Sequence, residues 1–198
     1  MQTMQLDFGP QAQVLKGVVA GVRDDQLTAR TPCERMTVAT LLDHVVGLTH
    51  AFRKSAEKDP VPGAPVASAD ALTADWRVVI PAQLDALVAA WRKPEAWEGN
   101  TAAGGVEMPA PAIAVVALDE MTVHGWDLAV ATGQEYSADP AAVEACLGFA
   151  SQVAAEPAVP GLFGPPVPVP DDAPPLHRLL GLTGRDPASP IPSSREDR

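Results

Sequence analysis

An all-α fold, with four long helices around one core, is the class this sequence predicts. Three observations predict it. Four long segments carry apolar residues at the helical spacing of three to four. No alternating strand pattern bounded by a tight-turn signal accompanies them. Hydrophobic residues make up 46% and charged residues 20% of the 198 residues, the balance of one globular domain.

The first helix is expected over Gly9 to Val22, where Val14, Val18 and Val22 recur every four residues. The second opens at Thr37, whose hydroxyl suits an N-cap, and runs through "VATLLDHVVGLTHAFRKSAEK". The third spans Ala69 to Lys93. Pro81 inside it predicts a kink or break, because proline lacks the N–H donor and crowds the preceding turn. The connection from Glu95 to Ala110, "EAWEGNTAAGGVEMPA", is too glycine-rich for helix and long for a bundle loop, and such loops often carry function. The fourth helix covers Pro111 to Thr132, with Gly133 placed for a left-handed cap. A fifth starts with Asp139 as cap and Pro140 at its first position, then continues through "AAVEACLGFASQVAAE".

The character changes after residue 156. Eleven of the 21 prolines fall in the last 42 residues. The expected organisation is therefore a helical bundle over residues 1–156 and a Pro-rich arm over 157–198. Phe163, Val167 and Val169 give the arm apolar groups with which to lie on the bundle, and "LHRLLGL" fits one short docking helix. The closing "ASPIPSSREDR" reads as disordered.

A net charge of −11 argues against nucleic acid, which needs clustered Lys and Arg, and against an anionic membrane surface. The opening "MQTMQLDFGPQ" has neither a basic nor an apolar leader segment, and no run approaches a membrane span, so a cytoplasmic protein is expected. Cys33 and Cys146 form no paired motif; Cys33 reads as an inert, partly buried thiol.

Within the fourth helix, "ALDEMTVHGWDLAVATGQ" places Glu120, His124 and Asp127 at i, i+4 and i+7, along one face bordered by Val116, Val123 and Leu128. With four histidines and 25 acids, about one such His–carboxylate spacing arises by chance, so the face matters more than the spacing. On the second helix His44, between Leu41 and Leu48, also points inward, whereas His50 turns away. Two inward histidines and a glutamate from different helices can converge in a bundle core on a divalent cation, for which imidazole and carboxylate are natural ligands. Three protein ligands leave one coordination position open, as in catalytic rather than structural zinc sites. Asp127 would then orient His124. Other readings stand beside this one. A lone inward histidine is more often a hydrogen-bonded core residue, and Glu120 with His124 is equally readable as an intrahelical ion pair. Trp126 reads as helix packing and His177 as exposed.

"RTPCERMTVATLLDHVVG" and "DEMTVHGWDLAVATGQ", with "VPDDAPPLHRLLGLTGRDP" near the end, resemble the actinobacterial metal-binding family of the DinB / mycothiol-dependent maleylpyruvate isomerase N-terminal superfamily. The resemblance runs from about Leu6 to Pro187. It implies an up-down-down-up four-helix bundle whose metal is held by a His-Glu-His triad, here His44, Glu120 and His124. Zinc is the implied metal, with nickel or iron as alternatives. Two departures stand out. Met36 occupies a position where the family has Trp, which alters the pocket rim. Maleylpyruvate isomerase also carries a second domain that contributes to its site, where this sequence has the Pro-rich arm, so the isomerase's own substrate is not expected to transfer.

The resemblance implies a metal-dependent thiol transferase or isomerase using mycothiol as co-substrate on a small electrophilic molecule. The loop Gly104–Met108 and the arm are expected to cover the pocket. The alternatives are a metal-dependent hydrolase, a non-catalytic metal- or ligand-binding protein, and a bundle with an internal polar network only. A homodimer is compatible with the resemblance, and no nucleic-acid or membrane partner is expected.

Overall fold

Four of the five helices of the bundle and its flank start or stop where local chemistry dictates. The structure, a computed structural model, describes residues 5–33, 36–63, 66–155 and 163–188. Helix α1 spans Gly9–Gly21, and the Asp7 carboxylate accepts from its first N–H at 2.9 Å. Helix α2, Val38–Ala56, is capped by the Thr37 hydroxyl, which accepts from the Thr40 N–H. Helix α3 covers Trp76–Trp91. Helix α4, Ala110–Thr132, ends on Gly133 at φ 70°, the left-handed cap its glycine predicts. Helix α5, Pro140–Ala155, has Asp139 as its cap, with Oδ2 accepting from the Ala142 N–H at 2.9 Å.

Each of α1 and α2 packs along both α3 and α4, so sequence neighbours α1/α2 and α3/α4 stand at opposite corners. The long connection over 57–75 lets α2 and α3 run side by side in one direction, giving the up-down-down-up order. Leu15, Leu41, Leu84 and Leu118, one from each helix, are at most 1% exposed. Each such burial contributes about 1.5–3 kcal/mol.

Two expectations are corrected. Helix α3 starts at Trp76, not Ala69; residues Ala69–Ala71 form a 3-10 turn whose Asp70 N–H is taken by the Ser68 hydroxyl. Pro81 does not break the helix. It is the sixth residue, so its missing N–H deprives only Arg77 of a partner, while Leu84, Leu87, Val88 and Trp91 bury the rest. The second correction is a hairpin. Strands β1 (Asn100–Ala103) and β2 (Val106–Pro109) pair antiparallel, Ala103 opposite Val106, around Gly104 and Gly105 at φ 59° and 83°. This Gly-Gly turn was present in the sequence, but small flanking residues hid the alternation.

Helix α4 is the central element, about 35 Å long at 1.5 Å per residue. It is covered by α1, α2, α5 and the hairpin, which is why it is buried on nearly every face, polar residues included. Gly125 permits one of these contacts. A Cβ there would lie 2.8 Å from the Tyr136 hydroxyl, which donates to Thr122 O at 2.7 Å and accepts from Gln11 Nε2 at 2.8 Å.

Beyond α5, the chain from Phe163 runs extended and is followed by helix α6, Pro175–Leu182. Leu179 and Leu180 of α6 are fully buried and the helix packs on α5. The extended stretch returns along α6, with Val167 N–H donating to Gly181 O at 2.9 Å, and Phe163 meets Phe149 edge-on. Gly164 and Gly184 cross so closely that a Cβ on Gly184, itself at φ 83°, would lie 2.8 Å from the Gly164 Cα. Apart from Ala188, the terminal "ASPIPSSREDR" lies outside the described residues.

Candidate metal centre

One turn of α4 and one residue of α2 build the polar centre. Glu120 and His124 stack at i and i+4, and His44 reaches them from α2. Glu120 Oε2 lies 3.0 Å from His124 Nε2 and 3.6 Å from His44 Nε2. The imidazoles meet edge-on, 5.0 Å between ring centres. Donor atoms of all three residues fall within 4.8 Å of one another. Ligands about 2.0–2.1 Å from a tetrahedral zinc stand roughly 3.3–3.5 Å apart, a separation that falls between the two observed approaches of 3.0 Å and 3.6 Å.

The decisive atom is Glu120 Oε2. It is buried and close to two imidazoles, and among the described residues it accepts no well-directed hydrogen bond, being compensated by the ion pair with His124. Leaving a buried acceptor unmade costs about 1–3 kcal/mol, more for a charge. A divalent cation among the three donors removes that cost, so the residues present fit a metal.

His124 is held from behind. Its Nδ1 is 2.9 Å from Asp127 Oδ2, leaving Nε2 toward Glu120. Asp127, fully buried, also receives Arg185 Nη2 at 2.8 Å and Nε at 3.3 Å, while Arg185 Nη1 donates to Thr183 O at 2.7 Å. Burial pushes the Asp127 carboxyl up, but His124 and Arg185 outweigh it and hold it below the ordinary carboxylate range. Burial likewise opposes ionisation of Glu120, and the two histidines overcome it. Desolvation works against the His124 cation, yet Asp127 and Glu120 raise its pKa to about 9. Without a metal, His124 is therefore an imidazolium clamped between two carboxylates.

The triad opens into a cavity of about 500 Å³. Pro32, Cys33 and Met36 form one rim, held by a turn in which Met36 N–H donates to Cys33 O and the Thr31 hydroxyl to Met36 O. Met36 thus sits at the pocket rim, where the sequence placed it. The arm supplies the opposite wall through Phe163, Gly164, Pro165 and Arg185. The loop Gly104–Met108 lines none of this cavity, contrary to expectation. Its hairpin is tied to the far end of α2, with Thr101 Oγ1 donating to Ser55 O at 2.8 Å.

His50 and His177 are exposed, and Trp126 is buried. Three neighbours of the centre escaped sequence reasoning. Arg185 is 58 residues from Asp127, and nothing in "TGRDP" announces the pairing. Cys33 brings a donor within 4.8 Å of donors of His124 and Asp127, a second grouping. Asp127 is already committed to His124 and Arg185, so the His44 grouping holds the better set. Asp119, also on the cavity wall, is 5% exposed, and its Oδ1 has no hydrogen-bond partner among the described residues. Burial first, then Glu120, pushes its pKa up to about 8. Cys146 is buried off the cavity, its thiol pushed up by burial.

Comparison with known proteins follows the same lines. The sequence profile of the mycothiol maleylpyruvate isomerase N-terminal domain matches residues 8–129, the stretch that contains all three donors. Two uncharacterized proteins of Mycobacterium tuberculosis, from strains CDC 1551 / Oshkosh and ATCC 25618 / H37Rv, are each 31% identical over 181 residues, covering 85% of this chain and 90% of theirs. The crystal structure of the mycothiol-dependent maleylpyruvate isomerase superposes with a TM-score of 0.61 at 16% identity, over 78% of this chain and 71% of that one, a likeness of fold.

Proposed function

The chain belongs to the mycothiol maleylpyruvate isomerase N-terminal domain family, and from that membership and the site's geometry we propose a metal-dependent, mycothiol-type S-transferase or isomerase acting on a small electrophilic substrate. The observation that carries this reading is the buried Glu120 Oε2, which accepts no well-directed hydrogen bond among the described residues and lies between His44 and His124 beside a cavity. His44, Glu120 and His124 would hold a divalent cation, zinc by preference, since two imidazoles and one carboxylate with room for a guest are a zinc-type donor set. When bound, the cation supplies the charge that stabilises a thiolate near neutral pH, the nucleophile for an electrophilic carbon.

The remaining roles belong to the protein's own groups. Asp127 accepts the Nδ1 proton of His124, which fixes the ring so that Nε2 presents its lone pair to the centre. Arg185 keeps Asp127 ionised and ties the arm to α4. Phe163 and Pro165 contribute apolar lining to the cavity. About 500 Å³ lies within the range of small-molecule sites.

Two measurements test the reading. Metal analysis of the purified protein is expected to find close to one divalent ion per chain, lost in His44→Ala. Absence of metal from the unaltered protein refutes it. Conjugation of mycothiol to a panel of electrophiles is then expected to depend on that metal. Metal without conjugation across the panel would leave a binding protein, not an enzyme.

A further inference from the structure

We propose that Arg185 is a positioning residue for the metal ligand His124, so that the centre grips its cation fully only while the arm is docked; this rests on the metal reading above. The relay runs through one atom. Asp127 Oδ2 lies 2.9 Å from His124 Nδ1 and 2.8 Å from Arg185 Nη2, and Arg185 Nε reaches Asp127 Oδ1 at 3.3 Å. Two bonds from the planar guanidinium fix the carboxylate in orientation as well as in place. The carboxylate in turn holds the imidazole, whose Nε2 faces Glu120. Asp127 is fully buried, so water does not compete for it.

The arm brings Arg185 to this point from outside the bundle. Helix α6 packs on α5, and Arg185 follows three residues after its end. Its backbone N–H donates to Leu180 O at 2.8 Å and its Nη1 to Thr183 O at 2.7 Å, so the docked helix sets where the guanidinium lies. Among the described residues, the arm's hydrogen bonds to α4 are those from Arg185 to Asp127. Phe163, Pro165 and Gly184 of the same arm wall the cavity. Lifting that wall therefore withdraws the guanidinium from Asp127 and frees the ring of His124 to turn. Coupling between two sites acts equally in both directions, so a cation that gains from a docked arm also holds the arm down.

Charge alone predicts the opposite sign. A guanidinium near a dication repels it, and its removal leaves the Asp127 anion free to attract. The direction in which Arg185 moves metal affinity separates orientation from charge.

The test measures zinc affinity by competition with a chromophoric chelator in wild type, Arg185→Gln, Arg185→Lys, Asp127→Asn and the double variant of Asp127→Asn with Arg185→Gln. Arg185→Gln is expected to bind zinc about tenfold more weakly, within the range for partners of a metal ligand. Arg185→Lys keeps the charge without the two-pronged grip and is expected to bind about threefold more weakly. The double variant is expected to be no weaker than Asp127→Asn alone, because the relay is already cut. Zinc is also expected to slow tryptic cleavage after Arg178, exposed on α6, about tenfold relative to cleavage within the bundle, a readout on the unaltered protein that needs no variant to fold. Unchanged or tighter zinc binding in Arg185→Gln, a further loss in the double variant, or equal slowing at arm and bundle sites overturns the coupling while leaving the metal reading intact. Failure of the unaltered protein to bind zinc overturns the metal reading and the coupling with it.

Discussion

Adding zinc to metal-free protein at pH 7 is expected to expel protons, because the ion must displace the one on His124 Nε2. That nitrogen lies 3.0 Å from Glu120, and the other is committed to Asp127, so only Nε2 is free to change partners. With a pKa of about 9, His124 is almost wholly protonated at pH 7, and stripping the proton there costs roughly 3 kcal/mol. Glu120 is already ionised and releases none. Asp119, at about 8, adds a second release when a dication arrives beside it. Apparent zinc affinity should then rise at least tenfold per pH unit from 7 to 8, approach a hundredfold gain by pH 9, and level off above it. Calorimetry at pH 7 in two buffers of different ionisation enthalpy counts the protons directly, with one to two expected per zinc. Affinity that is flat between pH 7 and 9, or binding with no proton release, refutes the clamped imidazolium.

The same groups set the stability of the metal-free protein. The folded state keeps protons on His124 and Asp119 at pH values where the unfolded chain, near 6.5 and 3.8, has released them. Stability is therefore expected to fall as pH rises from about 4 to 8 through Asp119 and from 6.5 to 9 through His124. Thermal melts across this range check it, and saturating zinc should remove the His124 part. Asp127→Asn leaves Arg185 without its anion and His124 without its anchor. A loss of about 3–5 kcal/mol in urea unfolding and a 10–100-fold weaker zinc affinity are expected. Gly125→Ala drives a methyl against the Tyr136 hydroxyl and should cost about 1–3 kcal/mol by the same unfolding measurement, with metal stoichiometry unchanged.

Helix by helix, what could be read in the sequence was what depends on neighbours in the chain. Thr37, Gly133 and Asp139 act on backbone groups within four residues, so their caps were legible. So was the stacking of Glu120 on His124, one turn apart. Pro81 does not end α3, because its cost depends on where in the helix it falls and on how much apolar surface the rest of α3 buries. The hairpin was missed because Ala102 and Ala103 give no alternation, and its support is a set of bonds to α2 rather than its own side chains.

The sequence by itself determined the helical class, the caps, and the face that carries Glu120, His124 and Asp127, because helical period is a local property. The tertiary structure alone decided that His44 arrives 3.6 Å from Glu120, that Arg185 folds back across 58 residues onto Asp127, and that Asp119 stands on the wall of a cavity. Those distances are set by how α2, α4 and the arm pack, through contacts between residues far apart in the chain, and no spacing along a single helix encodes them.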